Sequence, residues 1–151
     1  MNQNHTKFMK IALIEAKKAY DKNEVPVGAV IVHEGKIIAK AHNLREKSRR
    51  ATAHAELLAI EKANKKLKSW RLDNCTMYVT IEPCPMCSGA ILQSRIKQLI
   101  YGAKELKSGS HDSVVKLFEQ SYTHQVEVSS GIMEQECGDL VIDFFKKLRK
   151  K

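Results

Sequence analysis

His54 and Glu56 stand two residues apart in the stretch TAHAELLAI, where a polar, basic segment gives way to an apolar helical pattern. Further along, EPCPMCSGAI presents Cys84 and Cys87 in a Cys-x-x-Cys spacing. Imidazole and thiolate are donors that zinc favours, and three protein ligands instead of four leave a position for water, as a catalytic zinc requires. A His-x-Glu alone is common by chance, and a lone Cys-x-x-Cys also has structural-zinc and redox readings. Together they are narrower: His54, Cys84 and Cys87 are expected to hold one Zn2+ per chain. Zinc brings the pKa of a bound water to about 7, which makes hydroxide available at neutral pH. Glu56, beside that water without being a ligand, is expected to move its proton to a ring nitrogen and then to a leaving amine.

The elements around these residues must bring the two fragments together. Residues 5–22 read as an amphipathic helix, with Phe8, Met9, Ala12, Leu13, Ala16, Ala19 and Tyr20 on one stripe. VGAVIVHEGKIIAKAH reads as two strands joined at Glu34 and Gly35. Thr52 is expected to cap a helix running to about Lys65, and CTMYVTI to form a strand ending at Glu82. A helix then starts at Glu82 or Cys84, with Pro85 tolerated in its first turn. After it come a strand at KQLIYGA, a polar loop, a helical SVVKLFEQ, a strand at HQVEVSSG and a last helix with Leu140, Val141, Phe144, Phe145 and Leu148 on its apolar face. Helices alternating with buried strands predict a three-layer α/β sandwich. The His54 and Cys84 fragments would then each open a helix, with the thiolates stabilised by positive dipole ends.

At 151 residues the chain is expected to be one domain over 1–151, of average hydrophobic (43%) and charged (28%) content. Its apolar runs are too short for a membrane span, and MNQNHTKFMK shows no export signal, so a cytoplasmic protein is expected. Cys75 and Cys137 sit in apolar-leaning segments and are expected to be small buried hydrophobes. With Lys and Arg at 26 against 17 Asp and Glu, the net charge of +9 favours a polyanionic partner. REKSRR at 45–50 and KKLRKK at 146–151 are the clusters that would serve it.

The His-x-Glu and Pro-Cys-x-x-Cys pair is the pattern of the zinc nucleobase deaminases. Beyond it, EVPVGAVIV at Glu24, HN at His42, TAHAE, WRL at Trp70, MYVTIEPCPMCSGAI and GIMEQECGDLVIDFF at Gly131 make the chain resemble the bacterial tRNA-specific adenosine deaminases over nearly its whole length. The resemblance implies a cytidine-deaminase-like α/β/α sandwich around a five-stranded mixed sheet, assembled as a homodimer. It also implies deamination of the wobble adenosine of a tRNA anticodon, that of an arginine tRNA, to inosine by attack of zinc-bound hydroxide at C6. By the same resemblance, His54, Cys84 and Cys87 are zinc ligands, Glu56 is the proton shuttle, and Asn43 contacts the flipped purine. Glu105, standing where the family commonly has aspartate, would contact RNA backbone or ribose, and Phe145 and Arg149 lie in a tRNA-contacting, basic C-terminal helix. The chain departs from the family at Arg50 and Ala51, where Asp followed by Pro or Ala is frequent, and at Asp112, where glycine is common. Two other readings of the residues stand beside this one: a deaminase of free guanine or cytosine, and a non-catalytic RNA-binding subunit with structural zinc.

Overall fold

The structure, a computed structural model, describes residues 3–150. Lys151, the last residue of the terminal basic cluster, lies outside the described residues. Helix α1 (Gln3–Asp21) buries Phe8, Met9, Ala12, Leu13, Ala16 and Ala19, the stripe expected from the sequence. Its chain turns at Asn23 (φ 61°) and enters strand β1 (Gly28–His33). Gly28 is required there, because a Cβ would lie 2.0 Å from the Ala12 carbonyl oxygen of α1. A two-residue turn at Glu34 (φ 52°) and Gly35 (φ 76°) leads into β2 (Lys36–His42), as positive φ at both positions favours a tight hairpin.

The remaining elements are α2 (Arg45–Ser48), α3 (Ala55–Leu67), β3 (Cys75–Ile81), α4 (Pro85–Gln93), β4 (Gln98–Ala103), a 3-10 turn (Leu117–Glu119), β5 (Glu127–Ser130) and α5 (Glu134–Arg149). The five strands form one mixed sheet in the order β2-β1-β3-β4-β5. β1 pairs antiparallel with β2 and β3, whereas β3–β4 and β4–β5 are parallel. β2, β3, β4 and β5 therefore run one way and β1 the other. The segments after β2, β3, β4 and β5 and the segment before β1 all emerge at one edge of the sheet. α1 and α5 touch each other and pack on one face, and α3 and α4 touch each other on the opposite face. This is the α/β/α sandwich expected from the sequence.

Two local expectations change, and one basic segment gains a short helix. The helix expected over 113–120 is only a 3-10 turn, since Val114 and Val115 are exposed and Phe118 alone is buried, leaving no apolar face to hold a longer helix. The basic 45–50 segment contains the short helix α2, whose first amides are served by a carboxylate from elsewhere in the chain. Thr52 is not the cap of α3: His54 occupies the N-cap position with no side-chain cap bond, because its ring turns toward the cysteines. No helix among the described residues is long and apolar enough to cross a membrane.

Candidate active site

β2 ends at His42 and β3 at Ile81, and from these ends the chain delivers the two fragments singled out above. The segment 43–54 closes on itself: the Leu44 N–H donates to the Ala53 carbonyl (3.0 Å), and the Asn43 Oδ1 accepts the Ala55 N–H (2.7 Å). Asn43 thus caps α3 from across the loop and frees His54 for other work. On the other side, Cys84 is the N-cap of α4, with Pro85 as its first helical residue and Cys87 one turn inside. His54 Nδ1 lies 3.7 Å from Cys84 Sγ and 3.5 Å from Cys87 Sγ. Among the described residues, these three form a His/Cys/Cys cluster able to hold a metal ion, their donor atoms all within 4.8 Å of one another.

The protonation of the cluster follows from its contacts. A hydrogen bond from Cys87, reinforced against burial by one from His54, draws the Cys84 thiol down to about 4. Cys87 moves up, through its bond to Cys84 and its burial, so the pair holds one negative charge readily and resists a second. His54 is raised, first by its bond to Cys84. A cation at the centre would compensate this charge and permit the second thiolate. Glu56, 4% exposed in the first turn of α3, is pushed up to about 7, chiefly by burial and also by the charge of Cys84. A carboxyl held there both accepts and releases a proton near neutrality. Cys75 and Cys137 are buried, and burial pushes their thiols up to about 11 and about 12, which makes them inert core residues as expected.

A cleft of about 710 Å³ opens over the cluster, lined by Asn43, His54, Glu56, Cys84, Glu105 and Phe145 of the residues singled out in the sequence. Arg149 is not on that wall. It lines a neighbouring hollow of about 540 Å³ that shares Glu105, Ser108 and Phe145 with the first. The two hollows are therefore adjacent, with Lys107 and Arg149 as cations of the outer one. Lys22, Arg45 and Lys47 stand at the wall of the inner one, so of the 45–50 cluster it is the first half that faces the cleft.

Three buried carboxylates around the cleft were not singled out in the sequence. Glu24, 1% exposed, accepts the N–H groups of Glu46 (3.0 Å) and Lys47 (2.7 Å) and so pins α2. Glu15 pairs with His42 Nδ1 (2.9 Å) and Lys18 (2.8 Å), steadying the residue before Asn43. Glu82 accepts four hydrogen bonds from the 105–113 loop. Glu24 and Glu82 stand beside apolar residues in EVPVGAVIV and TIEPCP, and an acid at the edge of a buried run is the signal that could have flagged them.

The profile of the MafB19-like deaminases matches residues 3–149. The tRNA-specific adenosine deaminase of Bacillus subtilis is 52% identical over 145 residues, covering 95% of this chain and 90% of that protein. The protein of the same name from Aquifex aeolicus is 48% identical over 143 residues, covering 94% of each. A solved structure from a study of A-to-I editing by tRNA:A34 deaminases at the wobble position of transfer RNA superposes with a TM-score of 0.86 at 42% identity, covering 89% of this chain and 99% of that one.

Proposed function

The chain belongs to the MafB19-like deaminase family, and on that premise we propose that it is a zinc-dependent deaminase converting the wobble adenosine of a tRNA anticodon to inosine. The observation that carries this reading is the convergence of His54, Cys84 and Cys87 with the buried Glu56 at the floor of a cleft whose walls bear cations. The cluster fits zinc. With Zn–S near 2.3 Å and Zn–N near 2.0–2.1 Å, a tetrahedral site has N···S edges of roughly 3.5–3.6 Å. The two N···S separations here are 3.5 and 3.7 Å.

When bound, zinc supplies a water acidified to a pKa of about 7 and thus a nucleophile at neutral pH. Every other part of the reaction falls to the chain itself. Glu56 takes the proton of the attacking water, delivers it to the purine ring nitrogen next to C6, and returns a proton to the amine, which leaves as ammonia. Adenosine plus water gives inosine plus ammonia, with no redox step. Asn43 has one amide oxygen engaged with the Ala55 N–H, so its Nδ2 donors are the part offered to the base. That single bond fixes the amide orientation. Glu105 contacts the backbone or ribose of the RNA, and Phe145 and Arg149 receive the strand beyond the flipped nucleotide.

An anticodon loop suits this cleft because its bases are already unstacked, so extruding one is inexpensive compared with a duplex. The surplus of positive charge supports the same class of partner through phosphate neutralisation. An arginine tRNA as substrate and a homodimeric assembly, which rest on the family resemblance, and a single domain over 1–151 and a cytoplasmic location, which rest on length and sequence pattern, complete the proposal. The test is turnover of the zinc-loaded protein on an arginine-anticodon stem-loop bearing wobble adenosine, against free adenosine, guanine and cytosine. The stem-loop is expected to be deaminated far faster than all three. An inert stem-loop with rapid turnover of free guanine or cytosine overturns the reading.

A further inference from the structure

The ridge between the two hollows is formed by the loop after β4, which contributes Glu105 and Ser108 to both, together with Phe145 of α5. This loop consists of turns, and one buried side chain organises it. Glu82, 3% exposed at the end of β3, has its Oε1 accepting the Glu105 N–H (3.1 Å) and the Ser113 Oγ–H (2.5 Å). Its Oε2 accepts the N–H groups of His111 and Asp112, both at 2.9 Å. Gly109 closes the remaining side: a Cβ there would lie 2.3–2.5 Å from the carboxyl atoms of Glu82. The next residue, Pro83, accepts both the N–H and the Oγ–H of Ser110 at 2.9 Å.

All four partners of the Glu82 carboxylate are donors, and a carboxylate is the side chain that offers only acceptors. An amide would place an NH2 against N–H groups and leave buried donors unpaired. The first of the amides held belongs to Glu105 itself, so the carboxylate sets the backbone from which that wall residue projects. Asp112 strengthens the same loop from outside, since its carboxylate pairs with Lys104 at 2.9 Å. The departure from glycine at this position therefore adds a clasp across the loop.

We propose that Glu82 is a positioning residue for substrate binding, holding Glu105 and Ser108 on the ridge over which the RNA strand leaves the inner hollow for the outer one. The inference rests on the reading of the chain as a deaminase of an RNA adenosine. A strand with its target base at the cluster continues past this ridge toward Lys107 and Arg149, whereas a free nucleoside does not. Glu82 therefore acts on the binding of the stem-loop, whose strand meets the ridge on both its inner and its outer side.

The experiment measures kcat and KM of the full-length, zinc-loaded protein on the wobble-adenosine stem-loop, with zinc content and melting temperature recorded for each variant. Ser113→Ala removes one donor, Gly109→Ala presses a methyl on the carboxylate, and Glu82→Gln disrupts the set. KM is expected to rise in that order, reaching about tenfold or more for Glu82→Gln, with the loss in KM rather than kcat and with one zinc per chain retained. In a Glu105→Ala/Ser108→Ala background the same Glu82→Gln change is expected to move KM by less than about twofold, because residues acting through one another are not additive. An equal fold-change in both backgrounds assigns Glu82 to general stability and overturns the proposal. So does a KM unchanged by the substitutions, or a loss of zinc that tracks the loss of activity. If Glu82→Gln does not fold, the Ser113→Ala and Gly109→Ala variants decide by the same criteria. A wild-type protein inert on the stem-loop while zinc-loaded refutes the functional reading instead, which separates the two failures.

Discussion

On the proposed function Asn43 carries two duties that substitution can separate. Its Oδ1 caps α3 at Ala55 (2.7 Å), and the residue lines the cleft. Asn43→Ala removes both. Loss of a helix cap costs typically about 1 kcal/mol, which in a chain of this size lowers Tm by about 2–4 °C. Loss of the amide donors to the purine costs a further 1–3 kcal/mol or so in kcat/KM, a factor of roughly 5–150. Asn43→Asp is the separating variant. It keeps an acceptor of the same reach at the start of a helix, where negative charge is favourable, so Tm is expected at or above the wild-type value. It offers the base no donor, so stem-loop turnover is expected to fall as far as in Asn43→Ala. Thermal melts and initial rates on the stem-loop, with zinc content checked, give both numbers from one preparation. Wild-type activity in Asn43→Asp, or an unchanged Tm in Asn43→Ala, would refute the division of the amide into a capping oxygen and a base-facing nitrogen.

Four further outcomes are expected. Glu56→Gln is expected to lower kcat by at least about 10²-fold with zinc retained, because in the proposed reaction the carboxylate moves protons and is not a ligand; single-turnover rates and metal analysis check it. Cys84→Ala/Cys87→Ala abolishes stoichiometric zinc, and full zinc content in that double variant contradicts the ligand assignment. For Glu82, burial pushes the carboxyl up, but its hydrogen bonds from Ser113, Asp112, His111 and Glu105 outweigh this and hold it below the usual 4.5. A depressed folded-state pKa contributes stability above the unfolded value that is lost as pH falls, so melts between pH 7 and about 3 should show a steeper acid loss in wild type than in Glu82→Gln. Removing 146–151 should flatten the salt dependence of stem-loop binding by about 0.7 in log-log slope for each phosphate the tail neutralises, and an unchanged slope in a folded truncation makes that tail an ordinary solvated helix end.

What was readable in the sequence divides by the range of the interaction responsible. The helical stripe of α1, the Glu34-Gly35 hairpin and the two ligand-bearing helix starts depend on neighbours in sequence, and their residues announce them. The convergence of His54 with Cys84 and Cys87 was readable because the residue types have few other reasons to occur together at helix starts. The capping of α3 by Asn43, the pinning of α2 by Glu24 and the bracing of the 105–113 loop by Glu82 were not. Each joins residues 12 to 31 apart in the chain through a single acceptor side chain, with no periodicity to betray it. Thr52 was a sound cap by local rule, yet Asn43, reaching back from the end of β2, supplied the oxygen. The 113–120 segment failed as a helix for the converse reason: its local pattern found no surface to bury against.

The segments that carry the family resemblance separate in the same way into chemistry and frame. TAHAE, IEPCPMC and HN lie at the sheet edge where β2 and β3 end and where the cleft opens. WRL lies beyond the far end of α3, a helix of 13 residues and so some 20 Å long at about 1.5 Å per residue. There Trp70 is 60% exposed, with the Arg71 and Arg95 guanidinium groups 5.4 and 5.7 Å from its ring centroid. Leu72 is fully buried and its N–H donates to the Ser94 carbonyl at 2.7 Å, while Asn64 Nδ2 donates to the carbonyls of Ser69 and Trp70. These bonds join the end of α3 to the end of α4 just before the chain enters β3. The two helices that present the histidine and the cysteines are thus tied at their far ends by WRL and meet at their near ends in the His/Cys/Cys cluster. Fixing both ends leaves each helix little freedom to tilt, and through this rigidity the far motif serves the site.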